Sequence, residues 1–278
     1  MREYTYDWNP EWNEDETKPV LKISKSSLGS FMWCPKKYYY NYIERLPQDQ
    51  TEAMRKGTIV HNAREDFFNV FDIKKAETLS HGELVDYCVS LHPIDEYHDM
   101  YETMSVFEAN RFLDAKKAGT VGEFLPPGNE VLLDADIEVD GIHIHLQGII
   151  DRLFVENGGY IPMELKTGLW KDYKSTSMRK EMAFYKLLLD NATPELKIEK
   201  GLDPDMEMTH WGWYYPASHY VTVEPVKKRT ETAVMDNIRS LVEAYQSGLF
   251  PTKYFAKTCS SCSYFNICDA TNSPESWL

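Results

Sequence analysis

The stretch from Gly148 to Gly168 reads GIIDRLFVENGGYIPMELKTG, and it carries three side chains suited to metal-assisted chemistry: Asp151, Glu164 and Lys166. Side chains alternate faces along a strand, so Glu164 and Lys166, two apart, point the same way. A tight turn at Asn157-Gly158-Gly159 would fold the preceding strand back and bring Asp151 beside that pair. Converging carboxylates repel each other. A divalent cation would offset the repulsion and leave the ammonium to serve the chemistry. Such a short pattern also suits a polar-faced hairpin with a solvated ion pair. Here Ile149, Ile150, Leu153, Phe154 and Val155 make the first strand read as buried on both faces, and charge on a buried strand needs a reason.

A second constellation lies near the C-terminus. Cys259, Cys262 and Cys268 are spaced C-x2-C-x5-C. Thiolates at this spacing can each bind one corner of a metal or cluster site, and a tetrahedral set needs a fourth. Cys34 and Cys88 are the candidates. Cys34 precedes a proline where a loop can present it, whereas Cys88 lies in DYCVSL on a helical face that suits an ordinary buried thiol. Cys34 is therefore favoured. Closing a loop of that length, over 200 residues, would contribute on the order of 5 kcal/mol of loop entropy. Spacing alone leaves zinc and an iron–sulfur cluster both open.

Residues 1–23 form an acidic arm without periodicity, in which Trp8 and Trp12 suggest partial contact with the body. Helix-capping serines at Ser24 precede Leu28, Phe31 and Met32 at helical spacing, and Pro35 separates this segment from a second helix with the Tyr38–Tyr42 cluster. Gly57-Thr58 precedes an amphipathic stripe of Val60, Ala63, Phe67, Phe68 and Phe71. Further helix over 83–118 breaks at Pro93, and the helical block, an insertion of about 62–125, ends at Pro126-Pro127-Gly128. Strand periodicity then covers 131–139, 142–155 and 160–166. A linker and a helix over 178–190 follow, then strands over 209–215 and 220–226, and a helix over 230–247 capped by Gly248. The pattern predicts an α/β fold, a central mixed sheet flanked by helices, with an N-terminal helical region and a C-terminal cysteine-rich clasp, in one domain over 24–278.

The 278 residues carry a net charge of −14, which argues against a general nucleic-acid binder. The distribution softens this, because residues 166–180 hold five basic side chains and one acid. No run is long and apolar enough to cross a membrane, and no secretory signal is evident, so a cytoplasmic location is expected. An odd number of cysteines, five, speaks against a disulfide framework. No GxxxxGK[ST] occurs, so no P-loop motor is expected.

Five features in order make the chain resemble the iron–sulfur branch of the PD-(D/E)xK nucleases, the RecB-like group that includes the CRISPR-adaptation nucleases and the AddB C-terminal nuclease. They are Cys34-Pro35 followed by Tyr38–Tyr42; Gly57-Thr58 followed by His61; the G-x-x-D strand with Asp151; the E-x-K-T-G strand with Glu164, Lys166, Thr167 and Gly168; and Phe250-Pro251 before the three cysteines. The resemblance implies a restriction-endonuclease-like core and a 4Fe–4S cluster on Cys34, Cys259, Cys262 and Cys268. It also implies Mg or Mn held by His61, Asp151, Glu164 and the carbonyl of Leu165, and catalysis by Asp151, Glu164, Lys166 and Tyr185. The expected activity is metal-dependent hydrolysis of DNA, as an exonuclease on single strands or ends, in recombination, repair, phage DNA metabolism or CRISPR adaptation. A separate helicase or recombination partner would supply any unwinding. The alternatives are a catalytically inactive nucleic-acid-binding module stapled by zinc or iron–sulfur, and an electron-transfer protein. Where the family has Gln-x-x-x-Tyr, this chain has Glu181 and Tyr185. An ionised glutamate repels a phosphate, and it could instead pair with Lys166 or Arg179 or draw in a second metal. Lys171, Lys174, Arg179 and Lys180 flank the site as candidate phosphate contacts. Trp170 and Tyr38–Tyr40 could stack bases, with core packing the expected role for most of them.

Overall fold

The computed structural model describes residues 20–91 and 96–272. Most of the acidic arm, with Trp8 and Trp12, and the expected break at Pro93 lie outside the described residues. The chain divides into two compact units. One comprises Met1–Gln50, Asp134–Gly148 and Lys228–Leu278, and the other Thr51–Leu133 and Ile149–Lys227. No helix among the described residues is long and apolar enough to cross a membrane.

In the first unit, β1 (Leu21–Ser24) pairs in parallel with the start of β3 (Ile142–Glu156), Leu21 opposite Ile144. The end of the expected arm is thus a strand. Four residues are too few for alternation to show in sequence. Ser24 caps α1 (Lys25–Trp33) through a capping box with Ser27. Cys34 is one extended residue between α1 and α2 (Pro35–Tyr38), and Pro35 opens α2 where a missing N–H costs nothing. A π-helical turn, Tyr39–Ile43, continues α2. The unit is completed by α9 (Lys228–Ser247) and two short helices, α10 (Ala256–Cys259) and α11 (Asp269–Asn272). Tyr38 is fully buried, stacked on Phe250 at 6.0 Å, and its hydroxyl lies 3.0 Å from that of Tyr245. This is core packing.

The second unit opens with α3 (Glu52–Val70), capped by Thr51. The helix therefore starts ahead of Gly57-Thr58. Next come α4 (Ile73–Ala76), α5 (His81–Ser90) and α6 (His98–Ala118). Then β2 (Gly128–Val139), which pairs with β3, leads to β4 (Gly159–Leu165), α7 (Ser175–Asn191), α8 (Pro194–Glu199), β5 (His210–Tyr215) and β6 (Tyr220–Pro225). Here β3 and β4 are antiparallel, β4 and β5 parallel, β5 and β6 antiparallel, so the sheet is mixed. Every residue of β4 is buried, as a central strand requires. The first strand of the hairpin is less enclosed than the sequence predicts: Ile150–Leu153 are buried, but Ile149 is 46% exposed.

The faces of β4 are covered from both sides. Met163 and Leu165 pack with Val60 and Ala63 of α3 and with Met100, Tyr101 and Met104 of α6. Glu164 points the other way, to α7. Between α3, α6 and β3 lies a buried polar knot. Arg64 and Arg111 both bond the carboxylate of Glu108. A third guanidinium, Arg152, lies over Phe68, and Arg111 lies 4.0 Å from the centre of Phe124. The Glu108 carboxylate serves Arg64 and Arg111, the charges of Asp151 and Glu130 act on Arg152, and the aromatic faces take up part of the remaining charge.

Candidate active site

The hairpin turn sets the first relationship. Asn157 and Gly158 both have positive φ, 51° and 75°, as a two-residue hairpin turn requires. Glu156 then pairs with Gly159, and the ladder runs to Arg152 opposite Met163. Past that pair, the Leu165 N–H donates to Oδ2 of Asp151 at 2.8 Å. The buried Asp151 carboxylate is thereby fixed at the point where the Leu165 carbonyl emerges.

His61 of α3 reaches the same point. Its Nε2 lies 3.2 Å from the Leu165 carbonyl oxygen, and its Nδ1 lies 3.5 Å from Glu130 and 3.7 Å from Asp151. One ligand atom each from His61, Glu130 and Asp151 falls within 4.8 Å of the others. Burial alone would lower the His61 pKa, but the hydrogen bond to Glu130 and the charges of Asp151, Glu130 and Glu164 raise it. An imidazole, two carboxylates and a carbonyl suit a hard divalent cation such as Mg or Mn.

Glu130 is absent from the expectations drawn on the sequence. It stands at the start of β2 with φ 51°, a left-handed backbone that costs a non-glycine residue on the order of 1 kcal/mol. A lone acid after Pro126-Pro127-Gly128 carries no spacing signal. Its partner His61 is 69 residues away in the chain.

Glu164 belongs to a second group beside the first. Its Oε1 accepts from the Lys166 ammonium at 2.7 Å, and its Oε2 accepts from the buried Tyr185 hydroxyl at 2.6 Å. Glu181, one turn before Tyr185 on α7, accepts from the same ammonium at 2.8 Å. Burial by itself would lower the Lys166 pKa, but Glu164 and Glu181 outweigh it and hold the ammonium well above its ordinary range. Burial first, and then the neighbouring carboxylates, push the Tyr185 hydroxyl well up, so it is a donor. Bonded carboxylate oxygens keep further lone pairs, so Glu164 can still turn one toward a cation.

The basic loop divides by role. Arg179 donates to Glu224 at 2.9 Å, and that carboxylate also accepts from Lys227 and the Trp211 indole. Lys174 donates to the Leu169 carbonyl at 2.6 Å and lies over the Tyr215 ring. Lys171 is exposed and Lys180 half-buried.

In the other unit, Cys34, Cys259, Cys262 and Cys268 line one cavity with Lys36, Lys37 and Tyr40. The wall is held by Gln48 donating to Ser263 at 2.7 Å and by the Tyr264 hydroxyl, 3.2 Å from both Asn41 and the Leu46 carbonyl. Burial raises the Cys262 thiol pKa, partly opposed by Lys37. Cys88 lies elsewhere, in the apolar cluster with Phe71 and Phe112, where burial pushes its thiol up to about 12.

Comparison with curated proteins finds no match. Among solved structures, 95% of the chain aligns with 94% of the chain in the crystal structure of SSO0001, at 14% identity and a TM-score of 0.44. Rai1 of Scheffersomyces stipitis aligns over 83% of this chain and 62% of its own, at 8% identity and a TM-score of 0.29. The family model of the PD-(D/E)XK nuclease superfamily matches residues 22–269, which take in Asp151, Glu164 and Lys166, and the chain belongs to that superfamily.

Proposed function

We propose that the chain is a divalent-metal-dependent deoxyribonuclease, an exonuclease acting on single-stranded DNA or DNA ends, with a structural 4Fe–4S cluster. The observation that carries the nuclease reading is the convergence of His61, Glu130 and Asp151 on the Leu165 carbonyl, beside a lysine held charged. A bound Mg or Mn would polarise the scissile phosphate and lower the pKa of a water. The residues around it have separable tasks. Asp151, Glu130, Glu164, His61 and the Leu165 carbonyl would hold the ion. Lys166, kept protonated by two carboxylates, is suited to donate to the charge that develops on the phosphate, not to remove a proton. Tyr185 holds the carboxylate of Glu164 in place.

The cluster reading rests on four cysteines around one cavity, with Lys36 and Lys37 beside them to balance an anionic cluster. Iron and sulfide analysis separates it from zinc.

The test is degradation of end-labelled single and double strands by cluster-intact protein with Mg or Mn. Asp151→Ala and Lys166→Ala should each abolish degradation. Equal activity in Asp151→Ala would overturn the nuclease reading. DNA binding by the wild type without degradation under any metal would favour the inactive binding module.

A further inference from the structure

Seven residues beyond Lys166, Tyr173 stands 80% exposed, and Leu169 in the same loop is 58% exposed. A lone exposed ring is common on protein surfaces, so the support beneath it matters. The loop is anchored on both sides of Tyr173. The Trp170 ring stacks on Tyr220 at 4.3 Å and 6°, and it meets Tyr215 edge-on at 5.1 Å. The Trp170 N–H donates to Ser218 at 2.8 Å, and its indole to Asp172 at 3.1 Å. The Lys174 ammonium closes the loop onto the Leu169 carbonyl. Trp170, the aromatic that the sequence offers for base stacking, is thus spent on holding the loop, and the ring turned to solvent is Tyr173.

Tyr215 ties this loop to the candidate active site. The Lys166 backbone N–H donates to the carbonyl of Tyr214, the residue before Tyr215, at 2.9 Å, while Trp170 and Lys174 of the loop both lie against the Tyr215 ring. The loop that carries the exposed ring is therefore anchored on the strand next to the one that carries Lys166. Lys171, two before Tyr173, is an exposed cation on the same loop.

We propose that Tyr173 is a stacking platform for an unpaired base of the strand entering the active site, with Lys171 contacting a neighbouring phosphate. This rests on the nuclease reading and goes further, since it assigns a binding residue and favours unpaired over paired DNA. A base in a duplex has its faces covered by its neighbours, whereas an unpaired base can stack on an aromatic ring.

The experiment is equilibrium binding of a fluorescent single-stranded oligonucleotide to the full chain without added divalent metal, alongside steady-state cleavage with Mn. Tyr173→Ala should weaken binding roughly tenfold and raise KM similarly, with kcat changed much less, and Tyr173→Phe should restore both. An oligonucleotide with a run of abasic sites should bind the wild type and Tyr173→Ala equally, which a merely misfolded loop would not produce. If Tyr173→Ala binds intact oligonucleotide as tightly as the wild type, or loses the same factor on the abasic strand, the proposal is overturned while cleavage by the wild type keeps the nuclease reading standing. If the wild type neither binds nor cleaves DNA, both fall.

Discussion

Glu181 holds its carboxylate 2.8 Å from the Lys166 ammonium, so the lysine is clamped between Glu164 and Glu181. Where the RecB-like nucleases that the sequence resembles have a neutral glutamine, this chain has a carboxylate paired with its own lysine. The clamp fixes the ammonium, but if the chain acts on DNA as proposed, it also sets a negative charge beside the expected path of the phosphate. Glu181→Gln should therefore tighten single-strand binding by roughly tenfold, about 1.4 kcal/mol, with the gain shrinking as salt rises. Weaker binding in the variant would show that holding Lys166 outweighs the repulsion.

Glu130 and His61 stand 3.5 Å apart, and the pair makes a prediction about metal affinity. Glu130→Gln keeps the shape and removes a charge from the ligand set. The Mn concentration for half-maximal activity should rise at least tenfold, with activity recovering at high Mn. If Glu130 only braces His61, the Mn requirement will stay put and the loss will appear in kcat.

The two candidate fourth cysteines differ in surroundings, and substitution should separate them. Cys34→Ser removes one corner of the four-cysteine cavity, so iron content and visible absorbance should fall together with the melting temperature. Cys88 packs against Phe71 and Phe112, and Cys88→Ala should leave iron unchanged while costing about 1 kcal/mol of stability. Loss of iron in Cys88→Ala but not in Cys34→Ser would reverse the assignment.

The contrast between Glu164 and Glu130 shows where the sequence is legible. Glu164 sits two residues from Lys166 on a strand, and the strand period alone puts both on one face, as the 2.7 Å contact shows. The same periodicity predicts strands β2 to β6 to within a few residues. Glu130 depends on the approach of a helix 69 residues away and has no local period. Glu181 is intermediate. The sequence offers it Lys166 or Arg179, and the choice falls to Lys166 because the Arg179 guanidinium reaches Glu224 on β6. Local spacing is visible in sequence, while competition between partners is decided by packing.

That Arg179–Glu224 pair should govern part of the acid stability. Burial alone would raise the Glu224 pKa, but bonds from Arg179, Lys227 and Trp211 lower it to about 2. An unfolded glutamate titrates near 4.3, so the folded state holds the proton less tightly. The stability contributed is fully present above the unfolded pKa and is lost as pH falls toward about 2. Solvent screening limits it to on the order of 1 kcal/mol. Glu224→Gln, which keeps an acceptor for the Trp211 indole, should be less stable than the wild type at neutral pH by that amount. Urea unfolding measured from pH 7 downward should show the two proteins converging between about pH 4 and pH 2. A stability gap that stays constant through that window would mean Glu224 acts through packing, not charge.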